Sequence, residues 1–218
     1  MWLAAALLLG ACAHHAPVAA DAGPPPIRPM AARADQATRF RNLATEVGVT
    51  GDAAEQICTL LSEQLSLCYV KGTTGELDYV TAADLGAWAL DQSALEGLAR
   101  RSAEAGFTEG RPAPNGVDGL KGTWWLSAEA DGLDAAGLLF PERLAQIAGA
   151  TPVVAVPAQG ALMFWVPGDA DFDKVMAVAA RRIYDSSPQP VSPLIYTWSE
   201  DHWKVWGEAK PVDAPPPP

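Results

Sequence analysis

A chain of 218 residues, half of them apolar and with eight tryptophans, holds enough core for one ordinary domain and little more. Its 26 acidic against 15 basic residues leave a net charge of -11 with no Lys/Arg cluster. Long-range repulsion of phosphate backbones and anionic headgroups follows, which argues against nucleic acid as a partner.

The chain opens on an uncharged run, Met1 to Ala11, with Leu3 to Leu9 as its apolar part. About eleven residues fall short of the roughly twenty that cross a ~30 Å hydrocarbon layer, so a permanent transmembrane helix is excluded and a removable export signal is read instead. Leu9-Gly10-Ala11-Cys12 resembles the bacterial lipobox, in which cleavage before the cysteine leaves it carrying diacylglycerol and an acyl group. Cys12 is then the lipid-attachment residue, and the membrane is a partner through that anchor. Several acyl chains hold a bilayer firmly, at ~0.8 kcal/mol for each buried CH₂. Ala11-Cys12-Ala13 also fits an A-x-A cleavage site, which would leave a soluble periplasmic protein, and both readings stay open. Ala13 stands where an inner-membrane retention signal places Asp, so the sorting pattern points to the outer membrane, facing the periplasm.

Residues 12–36 are Ala, Pro, Asp and Gly for the most part and read as a disordered tether, within which His14-His15 is a solvated pair rather than a metal site. Residues 37–210 read as a single α+β domain, and 211–218 as a disordered Pro-rich tail. Within the domain, Phe40, Leu43, Ala44 and Val47 recur at helical spacing, and a second helix is expected from Asp52 with Ile57, Leu60 and Leu61 on one side. Alternation over 65–70 and 76–80 around a Gly-bearing loop predicts a hairpin. Thr81 and Asp84 begin a helix in capping-box fashion, with helical spacing through Leu85, Trp88, Leu95 and Leu98 to Gly106. A loop covers 107–122 and a strand 123–128. Pro141 opens a helix closed by Gly149. Val153 to Val156 and Ala161 to Val166 form a second strand pair. Phe172, Val175, Met176, Ala179 and Ile183 mark a helix from Asp171. Pro193 to Trp198 and Trp203 to Gly207 make the last hairpin. The expected fold is a largely antiparallel sheet built from hairpins, with amphipathic helices packed on one face.

Leu77-Asp78-Tyr79-Val80-Thr81 leading into Asp84-Leu85, then Val153 to Phe164, then Pro193-Leu194 to Trp203, together resemble the bacterial YtpQ-like domain-of-unknown-function family over about residues 65–206. Gln159 and Gly160 stand where the family usually has a charged pair. The resemblance implies the fold and no activity, since the family has none assigned.

The chemistry-bearing residues are few. Asp169, Asp171 and Asp173 have the 1, 3, 5 spacing of a calcium loop, but Lys174 and Ala180 occupy the positions that need Gly and Glu, so helix capping is the better reading. His202, beside Glu200 and Asp201, has no recognisable nucleophile near it in sequence and is read as a solvated turn residue. No catalytic residue, metal site or cofactor is expected. Cys58 and Cys68 would lie ~15 Å apart on one continuous helix, yet a chain returning as a strand after Gln64 brings them together, and export favours a disulfide over two buried thiols. Tryptophan is the real excess. Alternation places Trp203 and Val205 on one face of the last hairpin and Lys204 and Trp206 on the other. The face with Lys204 meets water, so Trp206 and Lys204 form a candidate surface for a glycan or an envelope protein. These observations lead to a lipid-anchored cell-envelope protein that binds or has a structural role; the alternative is an envelope hydrolase whose site carries no recognisable motif.

Overall fold

A computed structural model describes residues 23–73, 76–109, 112–128 and 134–209. Cys12 and the tail at 211–218 lie outside these residues. Among the described residues two antiparallel sheets and five α-helices make up an α+β architecture, as the hairpin pattern predicts. Among the described residues no helix is long and apolar enough to cross a membrane.

The first sheet runs in the order β1 (Ile27–Arg33), β3 (Leu65–Thr73), β2 (Cys58–Ser62), while β4 (Glu76–Tyr79) pairs with the far half of β3. β1 is a correction to the sequence reading, because it lies inside the stretch expected to be a tether. It pairs with β3 from Ile27↔Lys71 to Arg33↔Leu65, and Ile27, Met30, Ala31 and Ala32 are buried. The triple proline before it and the small alanines within it hide the strand pattern. Pro29 is tolerated because β1 has a partner on one side only, so its missing donor costs no ladder bond.

α1 (Gln36–Glu46) follows, with Ala44 buried and the Phe40 ring edge-on to Tyr79, but Leu43 and Val47 stand in solvent. The helix expected from Asp52 does not form. A short 3-10 turn at Gly51–Ala54 gives way to β2. Ile57, Leu60 and Leu61 fit helical spacing, but pairing with β3 overrides that pattern, and Leu60 ends 64 % exposed. Register then sets Cys58 directly opposite Cys68, and the two form a disulfide, with Cα atoms 4.0 Å apart.

The helix predicted from Thr81 to Gly106 is broken in two. α2 (Ala82–Trp88) starts where the Asp84 carboxylate accepts from the Thr81 amide and hydroxyl, and it stops at Ala89, which adopts a left-handed conformation. α3 (Gln92–Glu109) restarts with the Asp91 carboxylate accepting from the Ala94 amide. Leu95 and Ala99 of α3 pack with Ile27, Tyr69 and Val80 against the first sheet.

The second sheet has the order β10 (His202–Glu208), β9 (Leu194–Ser199), β7 (Val153–Ala158), β8 (Ala161–Trp165), β6 (Trp124–Ser127), β5 (Pro114–Asn115). α5 (Ala170–Ser186) covers one face, setting Phe172, Met176, Ala177 and Ala180 on Val153, Ala155, Met163, Trp165 and Ile195. The Phe172 ring needs Gly122 beneath it, since a Cβ there would lie 2.4 Å from the ring. The expectation of helices on one face leaves the other face open, and it is covered as well. A 3-10 segment (Asp134–Leu139), α4 (Pro141–Ala148) and the edge of the first sheet bring Leu138, Leu144, Ala31 and Leu65 onto Val154, Val156, Phe164, Tyr196 and Trp203. This explains why every residue of β7 and β8 is buried: strands covered on both faces read as continuous apolar runs.

Candidate functional site

The last hairpin carries three of the tryptophans and most of the chain's candidate chemistry. Its turn is two residues long, Glu200 and Asp201, both left-handed at φ 54° and 60°, the geometry that lets strand twist continue through a tight hairpin. The turn makes Trp198 and Trp203 direct cross-strand partners, with rings edge-on at 5.3 Å and 66°. Trp203 is 3 % exposed and donates its indole N–H to the Leu138 carbonyl at 3.2 Å, so it belongs to the core as expected.

The expected Trp206 and Lys204 surface is altered by a β-bulge between Val205 and Gly207. Trp206 falls in the bulge and is 44 % exposed, as alternation predicts, but Val205, expected to face inward, is 46 % exposed. Val205 stays in register with Trp203, opposite Tyr196, and its exposure arises at the start of the bulge on the outermost strand. The Lys204 ammonium lies 2.8 Å from Glu200 and holds that carboxyl below its ordinary range, by hydrogen bond first and by charge second. Lys204 is therefore half committed, and the free apolar surface of β10 is Val205 with Trp206.

Behind the hairpin, on the face opposite α5, lies a cavity of about 560 Å³. Pro141 and Ala145 of α4, Pro152 and Trp203 give it an apolar floor, Trp198 stands at its wall, and Glu142, Gln146 and Thr151 supply polar groups. A mostly apolar space of this size with a few polar groups is the usual form of a small-molecule site. Sequence reading missed it. Two signals were present: Trp198 and Trp203 sit symmetrically about the Glu200-Asp201 turn, and Glu142 and Gln146 are four apart on one helix and so share a side. What the sequence withheld is that α4 lies over this hairpin. A second cavity of about 640 Å³ is lined by Lys121, Thr123, Trp125 and Asp169 among others.

The remaining candidates resolve into structural roles. The Asp169 carboxylate accepts from the Asp171 and Phe172 amides as the cap of α5. Asp173 accepts from the Trp165 indole at 3.0 Å and from the Gly168 amide. Thus two of the three carboxylates with calcium-loop spacing are spent on the fold. Among the described residues no cluster of three or more His, Cys, Asp or Glu could hold a metal. The exposed His202 ring bonds through Nδ1 to its own turn, at the Glu200 carbonyl, 2.8 Å away. Burial pushes the Tyr69 phenol up to about 12; its hydroxyl is 3.0 Å from Thr59 Oγ1, which donates to Glu96. Burial raises Tyr196 likewise to about 12, with Ser192 as its partner at 2.6 Å. Both phenols tie strands to their neighbours.

Comparison of the chain with protein-family models, with curated proteins and with solved structures finds no match.

Proposed function

We propose that this is a lipid-anchored protein of the bacterial cell envelope whose folded part is a binding module. The anchor is assigned to Cys12 on the lipobox pattern Leu9-Gly10-Ala11-Cys12, and Ala13 directs the protein to the outer membrane, facing the periplasm. Pairing of Cys58 with Cys68 suits an oxidising compartment. The YtpQ-like reading of residues 65–206 is kept as part of this proposal and adds no activity to it.

The observation that carries the binding role is the solvent-facing Val205 and Trp206 of β10 together with the half-buried Trp198 of β9, which lines a cavity behind the hairpin. The competing reading, an envelope hydrolase, calls for converging carboxylates in a cavity. Of the two cavities described above, one has Glu142 as its single carboxylate, and the second has Asp169, which is already engaged as a helix cap. The test has two arms. Cys12→Ser should move the protein from the detergent phase to the soluble periplasmic fraction; wild-type protein that is wholly soluble and begins at His14 would remove the anchor. Capture from cross-linked membranes should recover an envelope protein or glycan with wild type and lose it with Trp206→Ala or a change in the cavity. Recovery equal across all variants would remove the hairpin from any binding role.

A further inference from the structure

We propose that the cavity between α4 and the β9–β10 hairpin is a saccharide site that takes a neutral sugar chain. This deepens the binding-module reading and rests on it. A pyranose ring has an apolar C–H face and a polar edge of hydroxyls, and it needs one accessible aromatic ring with hydrogen-bonding groups around it. The cavity supplies that pattern. Trp198 lines it and is half-buried, its ring edge-on to Trp203 and its remaining surface open. Around it stand a carboxylate (Glu142), an amide (Gln146) and a hydroxyl (Thr151), and all three residues are exposed. Glu142 and Gln146 are one turn apart on α4, a spacing that sets an acceptor beside a donor as two adjacent hydroxyls would require. Among the described residues none of the three has a hydrogen bond or ion pair elsewhere in the protein, so each is available to a ligand.

Charge and geometry narrow the class. The lining carries a single charged group, Glu142, and the chain has a net charge of -11, so uronic acids and phosphorylated sugars are disfavoured. An organic cation would be drawn by Glu142, but such ligands are held by ring faces on more than one side. Here the second ring, Trp203, is buried with its N–H committed to Leu138, which leaves one open indole and not a cage. The volume of about 560 Å³ sits within the ~300 to 1,000 Å³ usual for small-ligand sites.

The experiment is a titration of the disulfide-intact chain, followed by indole fluorescence and calorimetry. The probes are three neutral tetrasaccharides (β-1,4-linked N-acetylglucosamine, β-1,4-linked glucose, α-1,4-linked glucose) and, separately, tetramethylammonium. At least one tetrasaccharide should bind and shift the fluorescence. Trp198→Ala should weaken it by about tenfold or more, as expected for the central aromatic of a site. Because Trp198 also packs on Trp203, the double variant Glu142→Ala/Gln146→Ala, on the exposed side of α4, is the control for folding; it should weaken binding while leaving the melting temperature unchanged. Leu43→Ala, on the exposed side of α1 and outside the cavity lining, should bind as wild type does. Failure of all three tetrasaccharides, binding indifferent to both cavity variants, or displacement of the sugar's place by tetramethylammonium would each overturn the proposal. Capture of an envelope protein by a chain that ignores every sugar would overturn the saccharide site and leave the binding module standing.

Discussion

Replacing Trp203 by alanine should destabilise the protein severely, and replacing Trp206 should not. Trp203 is 3 % exposed, lies edge-on to Trp198, and packs in the cluster that joins Leu138, Leu144 and Tyr196. Loss of a buried indole costs about 3 to 5 kcal/mol through lost transfer energy and the cavity left behind. The buried Leu138 carbonyl also loses its donor, which adds about 1 kcal/mol or more. A domain of this size loses about 2 to 4 °C of melting temperature for each kcal/mol, so the expected drop is roughly 8 to 24 °C. Trp206 is 44 % exposed in a bulge of an edge strand, and its removal should cost about 0.5 kcal/mol or less. The assay is thermal melting by circular dichroism, with urea midpoints at unchanged m-value as a check on two-state behaviour. Trp203→Phe serves as an intermediate that keeps an aromatic ring and loses the N–H. A Trp203→Ala melt within about 2 °C of wild type, or the reverse ranking of the two alanine variants, would refute the register and packing of this hairpin.

Reduction of Cys58–Cys68, or the double change to serine, should lower the melting temperature by several degrees, since closing a loop of about ten residues contributes very roughly 2 to 3 kcal/mol; identical melts with and without reductant would contradict this. Asp169→Ala should cost about 1 kcal/mol as a lost helix cap, and added calcium should leave the melts of wild type and variant alike unmoved. A calcium-dependent rise in wild type would instead mark a cation site. Tyr69 and Tyr196 titrate near 12 in the folded chain against 10.0 for the free side chain, because burial disfavours the phenolate. Folding holds both neutral, so their contribution is complete below pH 10 and is lost as pH rises from there through about 12. Tyr69→Phe and Tyr196→Phe should each flatten that alkaline decline in urea midpoints, and an unchanged slope in both variants would rule these phenols out as its cause.

The second half of the fold was legible because its patterns are local and unopposed. Pro141 and Gly149 bracket α4, Asp169 caps α5, and Val153 to Trp165 has no competing helical period. The first half was less so. β1 reads as tether because Ala31 and Ala32 are small enough for the chain packed against them, and small residues carry little hydropathy signal. Residues 57 to 61 satisfy both a helix and a strand, and only their partner β3 decides between them. The cysteine pairing was reached by a different route from the one the chain takes: a return after a helix was expected, and adjacent strands were found. Trp206 was placed correctly by alternation, whereas the exposure of Val205 was not foreseen, since neither an outermost strand nor a bulge leaves a mark in the spacing. The cavity depends on how α4 sits over the hairpin, a relation between segments about fifty residues apart that no periodicity encodes.

The position of β1 also sets an order of events during synthesis. Ala31, near the front of the chain, shares one packed cluster with Leu65, Leu144 and Trp203, so its burial waits for residues that emerge last. Hydrogen-bonding partners for β1 arrive with β3, some forty residues later, but the layer that covers its inner side is finished only with the final hairpin. Premature closure of the core around an incomplete chain is thereby disfavoured. The same arrangement makes folding slow, since contacts between distant segments must form before the core is sealed. A nascent chain stalled before Pro193 would therefore expose the apolar side of β7 and β8 and be open to proteolysis, whatever the final product binds.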